Sequence, residues 1–515
     1  MGRMRCVAAA VLVVVVGGVA VATPPGRTSP ARAHSGHASL RLAVGYASER
    51  TLETALRTEP AVVVRMLPAL HVAEVRTTAP ALAARLRHAR GIRFVQREAS
   101  RSSVAEPGLT LASLTPRAVW EWQNRVTRAD IVAPSVLRAA ASVQIAVIDT
   151  GADLMAPDIA AKTPHAYNTR TGTGDVRDVN GHGTFVASLA AGSVTNADGI
   201  AGAGGDAQLL VVKSGSASGA FTDVDEAAGI VYAVDHGAKI VNLSVGGPTT
   251  SVTEKRAIQY AVQRGALLVA AVGNEFAQGN PVEYPAALLQ PAGSDGVGGS
   301  GLAVTASTAA GVRASFANTG SWISLAAPGE NVFGAVSQLA TSAAYPRSPL
   351  PGALSGEYGY ASGTSFAAPQ VSGVAALVWA ANPSLTAQEV AQILKETASG
   401  AGRWAPGLGF GIVDAAAAVA RAQAGAPGVL LSGNRVHTTL RLNWSGSAVR
   451  YSLSLSLDSG PATSVLAATP QTSTTVTLAR GHSYAFSVAA LDTSGVSTAT
   501  SVPLTVSLGM VRSRR

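Results

Sequence analysis

Apolar residues in the middle of the chain fall into short runs separated by amphipathic stretches, and that rhythm predicts the architecture. VQIAVID, AQLLVVK, AKIVNLSV and ALLVAAVGN, between Val143 and Ala424, are continuous in Val, Ile, Leu and Ala. Between and after them lie helical stretches with start signals, where Ser251-x-x-Glu254 and Thr386-x-x-Glu389 read as capping boxes. Strands that are apolar on both faces and alternate with helices predict an α/β fold, a parallel sheet covered by helices on both sides. In such sheets ligands gather beyond the carboxyl ends of the strands. The residues just after each strand are therefore the places to look for chemistry.

The flanks follow other patterns. In residues 34–105, AVVVRMLPALHVAEVR reads as two strands about a turn, APALAARLRHARG as a helix and IRFVQRE as a closing strand, a small α+β unit. Pro107 and Gly108 open a looser stretch, and residues 106–425 carry the α/β pattern. Beyond Ala424 the period changes to two, with Ser, Thr and Gly at the turns, so residues 432–508 read as a small all-β sandwich. Trp444, Tyr451, Tyr484 and Phe486 are assigned to its core. Residues 1–33 combine the basic MGRMR with CVAAAVLVVVVGGVAVA and small-residue cleavage sites at Ala20-Val21-Ala22 or Ala31-Arg32-Ala33, the pattern of a secretory signal peptide. An uncleaved anchor is the alternative, because the run is nearly long enough to span a bilayer.

Composition narrows the partners. The chain has 515 residues, 47% hydrophobic and 13% charged, which suits two or three globular domains. Its net charge is +9, but the basic residues are scattered and no recognition helix or zinc spacing accompanies them, so nucleic acid is not an expected partner. Cys6, the single cysteine, lies in the signal segment, so an exported mature chain has no disulfide and depends on its core. No later run of about 20 apolar residues offers a membrane anchor.

Three residues stand where chemistry is expected. Asp149 ends VQIAVID, His182 sits between two glycines in VNGHGTFVASLAAG, and Ser365 opens the apolar helix of SGTSFAAPQVSGVAALVWAA, with Pro369 placed in its first turn. Each alone has a plain structural explanation as a turn former or cap. In the order Asp, His, Ser they match one of the chain orders of serine hydrolases. Their surroundings, VIDTG, NGHGTFVA and GTSFAAPQVSG, resemble the three signatures of the subtilase (peptidase S8) family of subtilisin-like serine proteases, supported by LSVGGP, AAVGNE, SFANTG, LAAPG and GLGFGIVDAAAAV.

That resemblance implies a secreted serine endopeptidase with Ser365 as nucleophile, His182 as proton shuttle and Asp149 holding the imidazole. It implies Asn274 and the Ser365 N–H as oxyanion donors, Ser244, Val245 and Gly246 as the edge that pairs with a peptide substrate, and Ala271 and Gly273 in the first specificity pocket. Glu283, before Tyr-Pro, corresponds to the floor of that pocket and Glu275 to its rim, which predicts preference for Lys or Arg before the cleaved bond unless Glu283 points away. Residues 34–105, above all GIRFVQRE, resemble the family's inhibitory prodomain, cut off between about 98 and 112, and residues 432–508 resemble a fibronectin type III domain. No cofactor is required for catalysis; a structural calcium with Asp158 as a ligand is a further expectation.

Departures from the family pattern are Phe185 and Ala156 where histidines are usual, Gln370 in place of the histidine of SPHVAG, and Phe366 after the nucleophile where many relatives have an oxidisable Met. The stretch 336–359 is longer than the family's and is expected to form a flap near the site. Two other readings remain: a catalytically silent subtilase fold serving in binding or adhesion, and an esterase, which lacks a Gly-x-Ser-x-Gly elbow and has the wrong residue order.

Overall fold

The computed structural model describes residues 39–103, 121–194, 199–340, 345, 347, 357–425, 429–436, 438–446, 448, 450–458, 460–501 and 503–508. The signal segment and most of the expected flap lie outside the described residues. Near the N-terminus β1 (Leu40–Tyr46), β2 (Ala61–Leu67), β3 (Val72–Thr77) and β4 (Ile92–Arg97) form an antiparallel sheet in the order β2-β3-β1-β4. β1 and the helix Glu49–Leu56 join the strands and helix read from the pattern; Ser48 caps that helix through Thr51. β5 (Ser100–Ser103) leaves this sheet altogether and pairs elsewhere.

The centre of the chain runs through β6 (Gln144–Asp149), β7 (His165–Asn168), β8 (Gln208–Lys213), β9 (Ala220–Thr222), β10 (Ile240–Leu243), β11 (Val245–Gly246), β12 (Leu267–Ala271), β13 (Gly301–Ser307), β14 (Leu325–Pro328), β15 (Val332–Ala335) and β16 (Tyr358–Ala361). Seven of these make one parallel sheet, ordered β14-β13-β12-β10-β6-β8-β7. One face packs on the helices His182–Ala191 and Thr364–Ala381, which are apolar nearly all round and buried almost throughout. The other face packs on the helices Asp223–Asp235 and Val252–Gln263 and on Leu67, Leu70 and Val72 of the N-terminal unit. The two capping boxes form as read, at Ser251/Glu254 and Thr386/Glu389.

Pro369 differs from expectation. It is the sixth residue of the Ser365 helix, inside it and not in the first turn. β15 and β16 pair as an antiparallel ribbon that brackets the long 336–357 segment.

The C-terminal strands are β17 (Val429–Val436), β18 (Thr439–Gly446), β19 (Arg450–Leu457), β20 (Thr463–Thr469), β21 (Ser473–Thr477), β22 (Ser483–Leu491), β23 (Ser497–Thr500) and β24 (Leu504–Ser507). Pairing starts at Val429, three positions before 432, because the chain enters this sheet soon after the helix Ala415–Gln423. A three-stranded sheet, β17-β18-β21, and a five-stranded one around β19 and β22 share one core that includes Trp444, Tyr451, Tyr484 and Phe486. Among the described residues no helix is long and apolar enough to cross a membrane.

Candidate active site

Asp149 is the last residue of β6, at the carboxyl edge of the sheet, and is fully buried. Its Oδ1 lies 2.7 Å from His182 Nδ1 and accepts the Thr150 N–H at 2.7 Å. An ionised carboxylate only accepts, so Nδ1 carries the proton and Nε2 is the basic nitrogen.

The ring is held by its own helix. Gly181, at φ +98°, makes the left-handed turn into that helix, and Gly183 passes so close to the Gly151 carbonyl that no Cβ fits. The second glycine therefore permits close approach of two backbones. Asp178 organises the helix N-terminus: its Oδ1 accepts the Gly181 N–H and the Thr150 hydroxyl, each at 2.8 Å. Its Oδ2 accepts the Thr184 N–H at 2.8 Å and the Thr184 hydroxyl at 2.6 Å. Sequence reasoning passed over Asp178, although a carboxylate just ahead of an apolar helix is itself a start signal.

Ser365 is the second residue of its helix and is buried. Its hydroxyl donates to the Ser244 carbonyl at 3.3 Å, and the Ser244 hydroxyl donates to the Ser365 carbonyl at 2.8 Å. Phe366 joins the two halves of the site, with ring centroids 5.5 Å from His182 and 4.6 Å from Phe185. Phe185 also meets Tyr345, a described residue of the expected flap, at 6.0 Å. Gln370 donates to the Pro328 carbonyl at 2.6 Å and to the Phe366 carbonyl at 2.8 Å.

Asn274 follows β12, and its Oδ1 accepts the Thr364 N–H at 2.9 Å. That bond fixes which end of the amide is oxygen and leaves the NH2 as the end that can donate beside Ser365. Gly273 faces Asn318, Glu275 and Glu283, so both predicted glutamates gather at one place. The Glu275 carboxylate accepts the Asn274 N–H at 2.7 Å. Glu283 is buried, and burial together with the Glu275 charge pushes its carboxyl up to about 7. Ala271 ends β12 inside the sheet.

Val245 and Gly246 form β11, which pairs antiparallel with the chain's own β5, Val245 opposite Ser103 and Gly246 opposite Ser102. β9 pairs with the other edge of β5. Arg101 of β5 is buried between Glu226 and Glu254. None of these three was singled out for recognition; only the capping role of Glu254 had a local signal.

Asp158, the expected calcium ligand, is fully buried. Asp158 Oδ1 accepts the Ile200 N–H at 2.6 Å and Oδ2 the Tyr358 hydroxyl at 2.9 Å, so its carboxylate closes the loop after the His182 helix. Among the described residues no cluster of three or more His, Cys, Asp or Glu is arranged to hold a metal. Residues 195–198 of that loop lie outside the described residues.

Comparison with known proteins fits this geometry. Residues 140–413 match the Subtilase family, Peptidase S8. A thermophilic serine proteinase from Bacillus sp. strain AK1 is 34% identical over 263 residues, 51% of this chain and 58% of that protein. Thermitase from Thermoactinomyces vulgaris is 33% identical over 51% of this chain and 85% of its own length. Halolysin from Haloferax mediterranei is 41% identical over 54% of this chain and 49% of its own. The match thus spans little more than half of the AK1 proteinase. Among solved structures, fervidolysin from Fervidobacterium pennivorans, a keratinolytic enzyme related to subtilisin, superposes with a TM-score of 0.63 at 22% identity over 93% of this chain and 75% of that one. The fold is subtilisin-like.

Proposed function

The chain belongs to the subtilase family of serine endopeptidases, and from that premise we propose that it hydrolyses peptide bonds of proteins through Asp149, His182, Ser365 and an acyl-enzyme. The contact of His182 Nδ1 with Asp149 Oδ1 at 2.7 Å, at the carboxyl edge of the sheet beside the Ser365 helix, is the observation that carries this reading. His182 Nε2 takes the Ser365 proton as Oγ bonds to the substrate carbonyl carbon and the carbonyl π pair moves onto oxygen. The Asn274 amide and the Ser365 N–H donate to that oxyanion, and losing one such donor costs about 10²–10³ in kcat. Collapse breaks the C–N bond, and the imidazolium passes its proton to the leaving amine. Water then gives its proton to His182 as it attacks the acyl carbon, and Ser365 departs reprotonated. Asp149 keeps the imidazole in one tautomer and stabilises the imidazolium. This chemistry needs no cofactor.

Ser244, Val245 and Gly246 serve as the edge on which an extended peptide adds a strand, so that backbone bonds supply affinity and side-chain pockets supply selectivity. Ala271, Gly273, Glu275 and Glu283 line the pocket for the residue before the cleaved bond. A bound ammonium or guanidinium there would offset the burial and mutual repulsion of the two carboxylates, which supports preference for Lys or Arg.

The chain is further read as an exported precursor. Its first 33 residues are the signal peptide, residues 34–105 an inhibitory prodomain removed by the enzyme, and the C-terminal strands a fibronectin-like module. Seating of β5 on the substrate edge supports inhibition by the N-terminal unit. The Tyr484 hydroxyl bonds to the Ala479 backbone five residues upstream, a corner found in such sandwiches.

Wild type and Ser365→Ala precursors, expressed side by side, test the reading. The wild type should lose its N-terminal segment, degrade casein and react with a sulfonyl fluoride at Ser365, and the variant should do none of these. Two precursors that both stay whole, with no casein hydrolysis, would refute it; equal maturation of both would remove self-processing.

A further inference from the structure

We infer that the peptide cleft selects arginine at the fourth residue before the cleaved bond, through Glu226 and Glu254. The inference rests on the proteolytic reading and names a substrate class for it. Position follows from register. Ser103 faces Val245 and Ser102 faces Gly246, so in a substrate strand of the same register the next residue faces Ser244. The Ser244 carbonyl lies 3.3 Å from the Ser365 hydroxyl, so that residue carries the carbonyl under attack. Counting back, Ser103 and Ser102 occupy the second and third positions, and Arg101 the fourth.

The Arg101 side chain is fully buried, its Nε 3.5 Å from Glu226 Oε2 and its Nη2 3.0 Å from Glu254 Oε1. Nη1 donates to the carbonyl of Ser100 in its own strand at 3.2 Å. Asp223 holds the strand just before it: Ala99 N–H donates to Asp223 Oδ1, and Asp223 N–H to the Ala99 carbonyl, each at 3.0 Å.

The arginine pocket is not the N-terminal unit's sole tie to the helices. That unit is also tied to the same helices by Arg65 on Asp225 at 2.7 Å, by Gln96 on the Val252 N–H at 2.9 Å, and by Arg256 on the Leu70 carbonyl at 2.8 Å. Helix capping does not account for the pocket. Glu254 caps its helix through Oε2, which accepts from the Thr250 hydroxyl at 2.7 Å, and turns Oε1 to the guanidinium. Both oxygens of Glu226 are buried without a hydrogen-bond partner among the described residues. Both glutamates belong to helices packed on the catalytic sheet, so they stay in the cleft when β5 departs. Two buried carboxyls left facing each other take up either a proton or a cation, and an arginine of the incoming peptide supplies the cation in the place Arg101 held. A planar guanidinium spans both where an ammonium meets one, so arginine is favoured over lysine.

Two measurements test this. Enzyme obtained by expressing the full chain is given quenched peptides with Arg, Lys, Ala or Phe at the fourth position, each with Lys, Leu, Phe or Val before the bond. Arg peptides should exceed Ala and Phe peptides by at least about tenfold in kcat/KM for every residue before the bond, since stranding a buried charge is costly. Equal or faster cleavage of the Phe peptides overturns the inference. The second measurement needs no hydrolysis. In the full-length Ser365→Ala chain, amide exchange at Ser103, whose N–H donates to the Gly219 carbonyl at 2.9 Å, reports the seating of β5. Arg101→Ala should speed that exchange at least about tenfold and Arg101→Lys less, in proportion to the seating lost; unchanged exchange overturns the inference. If no peptide is cleaved yet exchange depends on Arg101, the pocket stands and the proteolytic reading fails.

Discussion

Replacing Ser244 with alanine should loosen the nucleophile, because of a proline. Pro369 has no N–H, so the carbonyl of Ser365, four residues earlier in the helix, loses its helical donor. The Ser244 hydroxyl takes that place at 2.8 Å, while Asn242 Nδ2 donates to the same hydroxyl at 2.9 Å. All three residues are fully buried. Ser244→Ala then strands the buried Ser365 carbonyl and the Asn242 amide that donated to the hydroxyl, at about 1–3 kcal/mol for each. The Ser365→Ala background keeps the carbonyl and prevents self-digestion, so the cost can be read from the urea midpoint at constant m. In the same background, Pro369→Ala restores a helical N–H to that carbonyl, and adding Ser244→Ala should then cost at least about 1 kcal/mol less than it does alone. With Ser365 present, Ser244→Ala should lower kcat more than it raises KM, by about tenfold or more, since a misplacement of about 1 Å costs on the order of 10²-fold. Additivity of the two changes within about 0.5 kcal/mol would refute the argument.

Four further outcomes can be checked. Asp149→Asn should keep the fold by circular dichroism yet lose about 10⁴ in kcat, because an amide favours the wrong imidazole tautomer; activity within tenfold of wild type would contradict the assigned roles. Glu283, with its carboxyl pushed up to about 7, is neutral below that pH and anionic above it. Preference for Lys over Leu before the cleaved bond should therefore climb from about pH 6 to about pH 8 and flatten in Glu283→Gln. Lys395 is buried, its ammonium donating to Gln290 Oε1 and the Gly298 carbonyl at 3.0 Å, and burial lowers its pKa to about 7. Charging it in the fold costs stability fully below that value, and the cost fades as pH rises toward the unfolded pKa of about 10.4. Lys395→Met should accordingly raise Tm at about pH 6 and bring no gain near about pH 10. A Cβ on Gly334 would stand 2.5 Å from the Phe185 ring. Gly334→Ala should cost about 1–3 kcal/mol in thermal unfolding, and Phe185→Val should recover most of it.

How much of this was legible in the chain depends on how local each cause is. Asp149, His182 and Ser365 stand inside short motifs whose neighbours do the positioning: Thr150 beside Asp149, Asp178 four residues before His182, Thr364 before Ser365. A reader of the motif sees most of the device, and the parallel sheet follows from runs that are apolar on both faces. Pro369 was misplaced because its role depends on a hydroxyl 125 positions away, which no helix rule can supply. The acidic pocket was hidden for the same reason. Arg101, Glu226 and Glu254 meet only when β5 lies between β9 and β11, and each looks ordinary alone: a basic residue in a basic unit, a glutamate in a helix's first turn, and a capping glutamate. Phe185 shows the complementary case. It departs from the family at the motif, but the departure becomes intelligible through Gly334 and Tyr345, residues of β15 and of the long segment after it. A large ring on the His182 helix packs with a glycine opposite and with the ring of Tyr345, so Phe185, Gly334 and Tyr345 belong to one packing solution.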